Sequence, residues 1–172
     1  GNYTSVWSHW DTTYDYAGAR AFVQIVDFGN QTINSHDVIY YAKVDNSNHF
    51  WMTANHGYMW AQKMVAGVVT QVGSTITLDQ NAHRWWGIRE SGGTIYYCTS
   101  PDGYTWTDQW SVANPFGTTM FFPQFTSGNW DNEASGSYAV FDNFNTVAHT
   151  AAASLSVTAT PTATLSKPSG FT

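Results

Sequence analysis

Apolar and polar residues alternate along short stretches of this chain, and turn-forming residues separate each stretch from the next. The stretch at residues 21–28, "AFVQIVDF", ends in Gly-Asn, and that at 38–44, "VIYYAKV", ends in Asp-Asn-Ser-Asn. A period of two is typical of β-strands, and no apolar set at helical spacing persists along the chain. Further strands are predicted at residues 49–54, 58–65, 68–72, 75–78, 84–90, 94–99, 105–112, 119–126 and 138–145.

The turns between these stretches are short, so successive strands are expected to pair antiparallel. Gly73-Ser74 is interpreted as the turn of a hairpin between residues 68–72 and 75–78. In the turn that starts at Ser100, proline presets φ, and the side chains of Ser100 and Asp102 can cap the turn's own backbone. Many short antiparallel strands predict an all-β, two-sheet antiparallel β-sandwich.

Period two also assigns the side chains of each strand to one of two faces. The set assigned to the core is Val38, Tyr40, Ala42, Val44, Phe50, Met52, Met59, Ala61, Trp86, Ile88, Ile95, Tyr97, Val140 and Phe144, with Phe22 and, after a slip in the alternation, Ile25. The set assigned to the opposite face is Tyr41, Trp51, Trp60, Trp85, Arg89 and Tyr96, with His49 and Gln62 between them. We expect the strands that carry this second set to lie in one sheet.

Aromatic rings on the outer face of one sheet, with polar groups between them, are typical of a sugar-binding surface. Two other interpretations remain open, because exposed tryptophans lower solubility and are usually covered. Loops or the N-terminal segment could cover the rings, or another subunit could pack on them.

The composition changes near the C-terminus. Residues 1–146 are assigned to one sandwich domain, whereas residues 147–172, "VAHTAAASLSVTATPTATLSKPSGFT", contain hardly any large side chains. Such a segment cannot build a core and is interpreted as a linker or extended tail. The alternative is an edge strand that docks on a neighbour, since residues 156–160 alternate small and β-branched side chains.

Composition and charge exclude several classes of function. The 172 residues have a net charge of −6, and the basic residues are scattered singly, so binding to nucleic acid is not expected. No apolar run is long enough for a membrane span. With Cys98 as the single cysteine, no intrachain disulfide can form. With 10% charged and 17% aromatic residues, the composition is typical of extracellular and virion β-proteins, so an extracellular or virion-surface location is expected.

Two segments resemble the concanavalin A-like lectin/glucanase superfamily, the laminin-G-like jelly rolls. They are "HRWWGIRESGGTIYYCTSPDGYTW" at residues 83–106 and "GNWDNEASGSYAVFDNFN" at residues 128–145. Within the superfamily the pattern is similar to domains of minor tail proteins of phages that infect Gram-positive bacteria, and of secreted bacterial proteins. The resemblance implies a jelly-roll fold. It specifies function poorly, because the superfamily includes lectins, glycosidases, adhesins and structural modules.

The resemblance also directs attention to catalysis and to calcium. Glycosidases of the superfamily carry an E-x-D-x-x-E motif that is missing here, and Asp131 and Glu133 are predicted to lie in a loop, so no enzyme activity is predicted. Laminin-G-like domains often bind calcium, for which Asp45 and Asp142 are the best candidate ligands. The alternative is that both close strands through Asx-turns.

These observations predict a non-catalytic binding or adhesion module that contacts a glycan or cell-surface receptor. The contact residues predicted are Tyr41, Trp51, Trp60, Trp85, Arg89 and Tyr96. Display on a phage tail, fibre or surface protein would raise a weak single-site affinity. The alternative is a structural or decoration subunit, a homo-oligomer or a protein with virion neighbours, whose aromatic residues pack on adjoining chains.

Overall fold

The computed structural model describes residues 4–9, 12–33, 36–129 and 138–146. Their strands are β1 Thr4–His9, β2 Tyr14–Asp15, β3 Arg20–Asp27, β4 His36–Lys43, β5 His49–Asn55, β6 Tyr58–Val65, β7 Val68–Thr77, β8 Trp85–Ser91, β9 Thr94–Ser100, β10 Thr107–Ala113, β11 Met120–Asn129 and β12 Val140–Asp142. Within the described residues, no helix has the length and apolar character needed to cross a membrane.

The strands form two antiparallel sheets that pack face to face. The large sheet has the order β1-β11-β4-β5-β6-β7, with β2 paired to the start of β11, and the small sheet has the order β10-β9-β8-β3-β12. β11 inserts between β1 and β4, and β3 inserts between β8 and β12, so strands distant in sequence become neighbours. The structure confirms the predicted all-β, two-sheet antiparallel sandwich, consistent with a jelly-roll, concanavalin-like fold.

The core lies between the two sheets. On the large sheet, one cross-strand row in register spans five strands and faces inward; its members are Phe125, Tyr40, Met52, Ala61 and Val72. On the small sheet, Trp86, Ile88, Ile95 and Tyr97 are fully buried, as the alternation predicted. Since burial of each large apolar side chain contributes about 1.5–3 kcal/mol, this layer holds the sheets together.

Two residues assigned to the core lie elsewhere. The assignment of Phe22 to the core is wrong. Phe22 pairs with Gly87 on the outer face of the small sheet, while Ala21 and Val23 face inward. The smaller inward side chains leave room for the fully buried indole of Trp86, the register partner of Val23. The assignment of Val140 to the core is also wrong, since Val140 is 38% exposed and the pairing of β12 with β3 shifts register after it.

The hairpin predicted at Gly73-Ser74 is wrong as well: β7 continues through both residues. Met59 pairs with Ile76 and Ala61 pairs with Val72, so residues 73–75 stand opposite the single residue Trp60. This is a bulge, and Gly73 supplies the positive φ of +68° within it. β1 and β2 were not predicted. The tail assigned to residues 147–172 lies outside the described residues.

Candidate functional site

The outer face of the large sheet carries a second row in register, next to the inward one. Its members, from β11 to β7, are Gln124, Tyr41, Trp51, Gln62 and Gln71. Neighbouring strands lie about 4.8 Å apart, so the row is a nearly continuous line of rings and amides. We call it the glutamine–aromatic row. Three predicted residues, Tyr41, Trp51 and Trp60, lie on this face, as do His49 and Gln62.

Trp51 forms the floor of this surface. Its exposed fraction is 7%, and its ring centroid lies 5.9 Å from that of Tyr41 and 5.0 Å from that of His49. Tyr41 and His49 also meet, edge to face, at 5.4 Å. The three rings therefore hold one another in place, and Tyr41 is half-buried beside the nearly buried indole.

Trp60 lies on the same face, opposite the β7 bulge, and is half-buried. Its indole Nε1 donates a hydrogen bond to Oε1 of Gln62 at 2.8 Å. This contact fixes the orientation of both side chains and directs the Gln62 amide nitrogen away from Trp60. The surface thus has two half-buried rings, Tyr41 and Trp60, on either side of the Trp51 floor.

A positive charge borders the glutamine–aromatic row. Lys43 follows Tyr41 by two positions on β4, so both side chains share the outer face. The residue Lys43 is only 9% exposed, and Nζ donates to Oδ1 of Asn46 at 2.9 Å and to Oε1 of Gln124 at 3.2 Å. Nζ also lies 5.6 Å from the ring centroid of Tyr41 and 5.7 Å from that of Phe122. Burial lowers the pKa of Lys43, and the charge of Asp45 opposes this shift.

His49, the cross-strand partner of Lys43, is nearly buried under the same surface. Burial lowers the pKa of His49; a hydrogen bond between Nδ1 and the Asp45 carbonyl oxygen, 3.3 Å apart, opposes the shift. The lowered pKa favours the neutral form of the imidazole. Lys43 is the full positive charge beside the rings.

The other three predicted contact residues, Trp85, Arg89 and Tyr96, lie on the small sheet, so the expectation of one shared surface is wrong. β8 and β9 pair with β3 and β10, and the outer faces of the two sheets of a sandwich point in opposite directions. Which sheet a hairpin joins depends on pairing with strands far along the chain, and alternation carries no information about it.

On the small sheet, the rings are covered by their own chain. Trp85 is 5% exposed, and the ring of Phe22 lies 6.0 Å from it and 5.6 Å from Trp106. The guanidinium of Arg89 lies 3.7 Å from the centroid of Tyr96 and pairs with Asp108 at 2.6 Å. The side chains that lie on Trp85 and Tyr96 therefore come from strands β3 and β8, and the loop residue Trp106 packs on Phe22.

The loop that supplies Trp106 is held by the turn residues that the sequence singled out. Ser100 Oγ accepts from the amide of Gly103 at 2.8 Å, and Asp102 Oδ1 accepts from the amides of Tyr104 at 2.8 Å and Thr105 at 2.7 Å. The backbone hydrogen bonds from Thr105 and Tyr104 lower the pKa of Asp102 to about 2. Trp106 Nε1 then donates to the carbonyl of Gly103 at 2.9 Å, which closes the loop over the sheet.

Gly87 makes room for this cover. A Cβ at Gly87 would lie 2.6 Å from Cδ of Arg20 and 2.9 Å from Cζ3 of Trp106. Arg20 in turn stacks its guanidinium 4.3 Å from the Trp106 ring. The side chains of this outer layer therefore lie directly on the backbone of β8.

The two candidate calcium ligands follow or end strands of different sheets. Asp45 follows β4, and its Oδ1 accepts from the amide of Ser47 at 2.7 Å, as in an Asx-turn. Asp142 ends β12, and its Oδ1 accepts from the amide of Asn143 at 2.7 Å. Among the described residues, no group of three or more His, Cys, Asp or Glu side chains could hold a metal ion.

Carboxylates are sparse around the glutamine–aromatic row. Strands β4 to β7 and β11 carry one, Asp37, which accepts a hydrogen bond from Nδ2 of Asn55 at 2.7 Å. Burial raises the pKa of Asp37, opposed by this hydrogen bond. Asp131 and Glu133 lie outside the described residues.

No protein-family model and no curated protein sequence matches the chain. Solved structures with a similar fold include an uncharacterized protein from Mycobacterium paratuberculosis, with 12% identity, a TM-score of 0.47, and 80% of this chain and 70% of that chain covered. A mouse coronavirus receptor-binding domain, solved with its murine receptor, has 11% identity and a TM-score of 0.42, with 80% and 88% covered.

A third similar structure is an immunostimulatory antigen and pseudo β-1,3-glucanase of Mycobacterium tuberculosis, with 11% identity, a TM-score of 0.42, and 79% and 62% covered. Likenesses at such low identity concern the fold, and fold does not determine what a site binds.

Proposed function

We propose that this chain is a non-catalytic binding module and that the outer face of its large sheet contacts a glycan on a cell surface. The observation that carries the proposal is the arrangement of two half-buried rings, Tyr41 and Trp60, around Trp51, with Gln62 and Gln124 beside them. Sugar rings offer CH faces that stack on aromatic rings, and hydroxyl groups that hydrogen-bond with amides.

The surface is organised before any ligand binds. The mutual packing of Tyr41, Trp51 and His49 restricts their rotamers, and the hydrogen bond between Trp60 and Gln62 restricts two more side chains. Ordering a flexible side chain on binding costs about 0.5–1.5 kcal/mol. A surface already ordered avoids much of this cost.

The binding role is favoured over glycoside hydrolysis by the distribution of acids. Hydrolysis of a glycosidic bond generally uses two carboxyl groups that face the same sugar linkage. In strands β4 to β7 and β11, Asp37 is the one carboxyl group, and Asn55 already engages it. We therefore assign no hydrolytic step to this face.

The proposal includes the setting. The resemblance of the β8–β9 hairpin to domains of phage minor tail proteins and secreted bacterial proteins favours display on a phage tail or fibre, or on a cell surface. A shallow site of this kind binds weakly alone, and repeated copies would raise its avidity.

The test is a calorimetric titration with a panel of neutral, uronate-containing and sulfated oligosaccharides. Trp60→Ala is expected to weaken binding at least about tenfold, which corresponds to about 1.4 kcal/mol. The matched control is Tyr104→Ala, because Tyr104 is 58% exposed and lies in the loop over the small sheet. Unchanged affinity in Trp60→Ala, or an equal loss in Tyr104→Ala, would show that the large sheet is not the site.

The alternative role, a structural subunit that packs on neighbouring chains, has one feature in its favour. Val68 and Val69 on the edge strand β7 are 68% and 47% exposed. Sedimentation of the isolated chain separates the two roles: a stable oligomer without any glycan binding favours the subunit, and a monomer that binds glycan supports the module.

A further inference from the structure

Lys43 is a nearly buried cation whose hydrogen-bond and ring partners are all neutral. Its Nζ donates to the amide oxygens of Asn46 and Gln124, and two rings approach it. Among the described residues the only pair of opposite charges in contact is Arg89 with Asp108, on the other sheet, so no carboxylate lies within 4.0 Å of Lys43.

The nearest acid in sequence, Asp45, favours the charged form of Lys43 through its own charge but does not contact the ammonium group. Asp45 uses its carboxylate oxygens to accept from the Ser47 amide at 2.7 Å and from Nδ2 of Asn48 at 2.9 Å. Removing an ammonium group from water without a counter-charge is costly. An anionic group on a bound ligand would supply the direct ionic contact that Lys43 does not make within the described residues.

The position of Lys43 relates it to the proposed site. Lys43 and Tyr41 are two positions apart on β4, and Nζ lies over the Tyr41 ring, 5.6 Å from its centroid. A sugar that contacts the Tyr41 end of the glutamine–aromatic row would bring a substituent within reach of Nζ.

We propose that the glycan bound by the large sheet is acidic, and that Lys43 Nζ binds an anionic group, carboxylate or sulfate, of a sugar at the Tyr41 end of the glutamine–aromatic row. This inference rests on the proposed function. The net charge of −6 argues against unspecific attraction of polyanions, so a preference for acidic sugars must come from a local contact.

The experiment compares each acidic member of the panel with its uncharged counterpart: oligogalacturonate with its methyl ester, and a sulfated oligosaccharide with the same chain after desulfation. The expected result is that one acidic ligand binds at least about tenfold more tightly than its counterpart. The pair that shows the difference identifies carboxylate or sulfate. Lys43→Gln is expected to abolish this preference while binding of the uncharged counterpart persists.

Lys63→Gln is the matched control, because it removes the same charge from β6, at a position in register with the inward-facing Phe50. It should keep the preference. Equal affinity for charged and uncharged ligands, or a preference that survives Lys43→Gln, overturns the role of Lys43 but leaves glycan binding intact. Failure of every ligand to bind overturns both proposals.

A measurement on the unmodified protein covers the case in which Lys43→Gln does not fold. Binding of the acidic ligand should weaken between about 0.05 and 0.5 M salt, because the ionic contact is partly screened, whereas binding of the uncharged ligand should change little. The same salt dependence for both ligands contradicts the inference.

Discussion

Gly73→Ala tests the most unusual backbone feature of the large sheet, the bulge in β7. Gly73 has a φ of +68°, and a Cβ there would lie 2.5 Å from Cδ1 of Trp110. The Trp110 ring is 7% exposed, and its Nε1 donates to the carbonyl of Ser74 at 2.8 Å. The new methyl group therefore forces the ring to move.

The cost has three parts. A non-glycine residue at positive φ costs about 1–2 kcal/mol. Loss of the hydrogen bond from Trp110 to the Ser74 carbonyl costs about 1 kcal/mol. Displacing the well-packed Trp110 ring adds about 1 kcal/mol, which is the lower end of the cost of inserting a group into a packed core. We expect Gly73→Ala to lower the free energy of unfolding by about 3–4 kcal/mol.

Gly67→Ala provides the control. Gly67 has a φ of +81°, and a Cβ there would have no atom within 4 Å. Gly67→Ala should lower the free energy of unfolding by about 1–2 kcal/mol, from backbone strain alone. Both substitutions restrict the unfolded chain equally, so this contribution cancels in the comparison.

Urea denaturation followed by tryptophan fluorescence measures the difference. Gly73→Ala should be about 2 kcal/mol less stable than Gly67→Ala, and the excess should shrink in a Trp110→Leu background because the clash is relieved. If the two glycine variants lose the same stability, the contact between the bulge and Trp110 does not stabilise the protein as described.

Two further predictions concern ionisable groups. The lowered pKa of Asp102, about 2 against an ordinary 3.8, means that its contribution to stability is complete above pH 3.8 and is lost as the pH falls through about 2. Between pH 4 and 2, the free energy of unfolding of Asp102→Asn should therefore fall less than that of the unmodified protein, as measured by denaturant titration at each pH. The same fall in both proteins would contradict this. Burial raises the pKa of the Cys98 thiol to about 12, aided by its hydrogen bond to Asp108. A disulfide reagent at pH 8 should react with Cys98 only after unfolding, and rapid reaction with the folded protein would show that the thiol is accessible.

Short-range patterns predicted the parts of the structure that depend on neighbours in sequence. The β8–β9 hairpin has the predicted faces because alternation and a tight turn determine both. The caps of the turn after β9 form as expected, because Ser100 and Asp102 bond to backbone groups only two or three residues away. The bulge at Gly73 was not predicted, since a glycine in a strand serves a bulge and a turn equally well.

The candidate site was predicted in part for the same reason. Tyr41, Trp51 and Trp60 share a face because β4, β5 and β6 follow one another through short turns that preserve the alternation. Gln124 was missed, because it reaches Tyr41 only through the pairing of β11 with β4. Lys43 could have been found, since it has the same parity as Tyr41 on one strand.

The sequence by itself determined that this chain forms many short strands, that tight turns join neighbouring strands such as β8 and β9, and which side chains share a face within a hairpin. These properties depend on contacts between residues close along the chain. Only the tertiary structure decided that the β8–β9 hairpin joins the small sheet. There Trp85 packs against Phe22, which packs against Trp106, while Trp51 lies on the opposite surface. The order of strands in a sandwich depends on which distant segments bury the most apolar surface when they pair. A local pattern of residues cannot predict this, because it describes only neighbours along the chain.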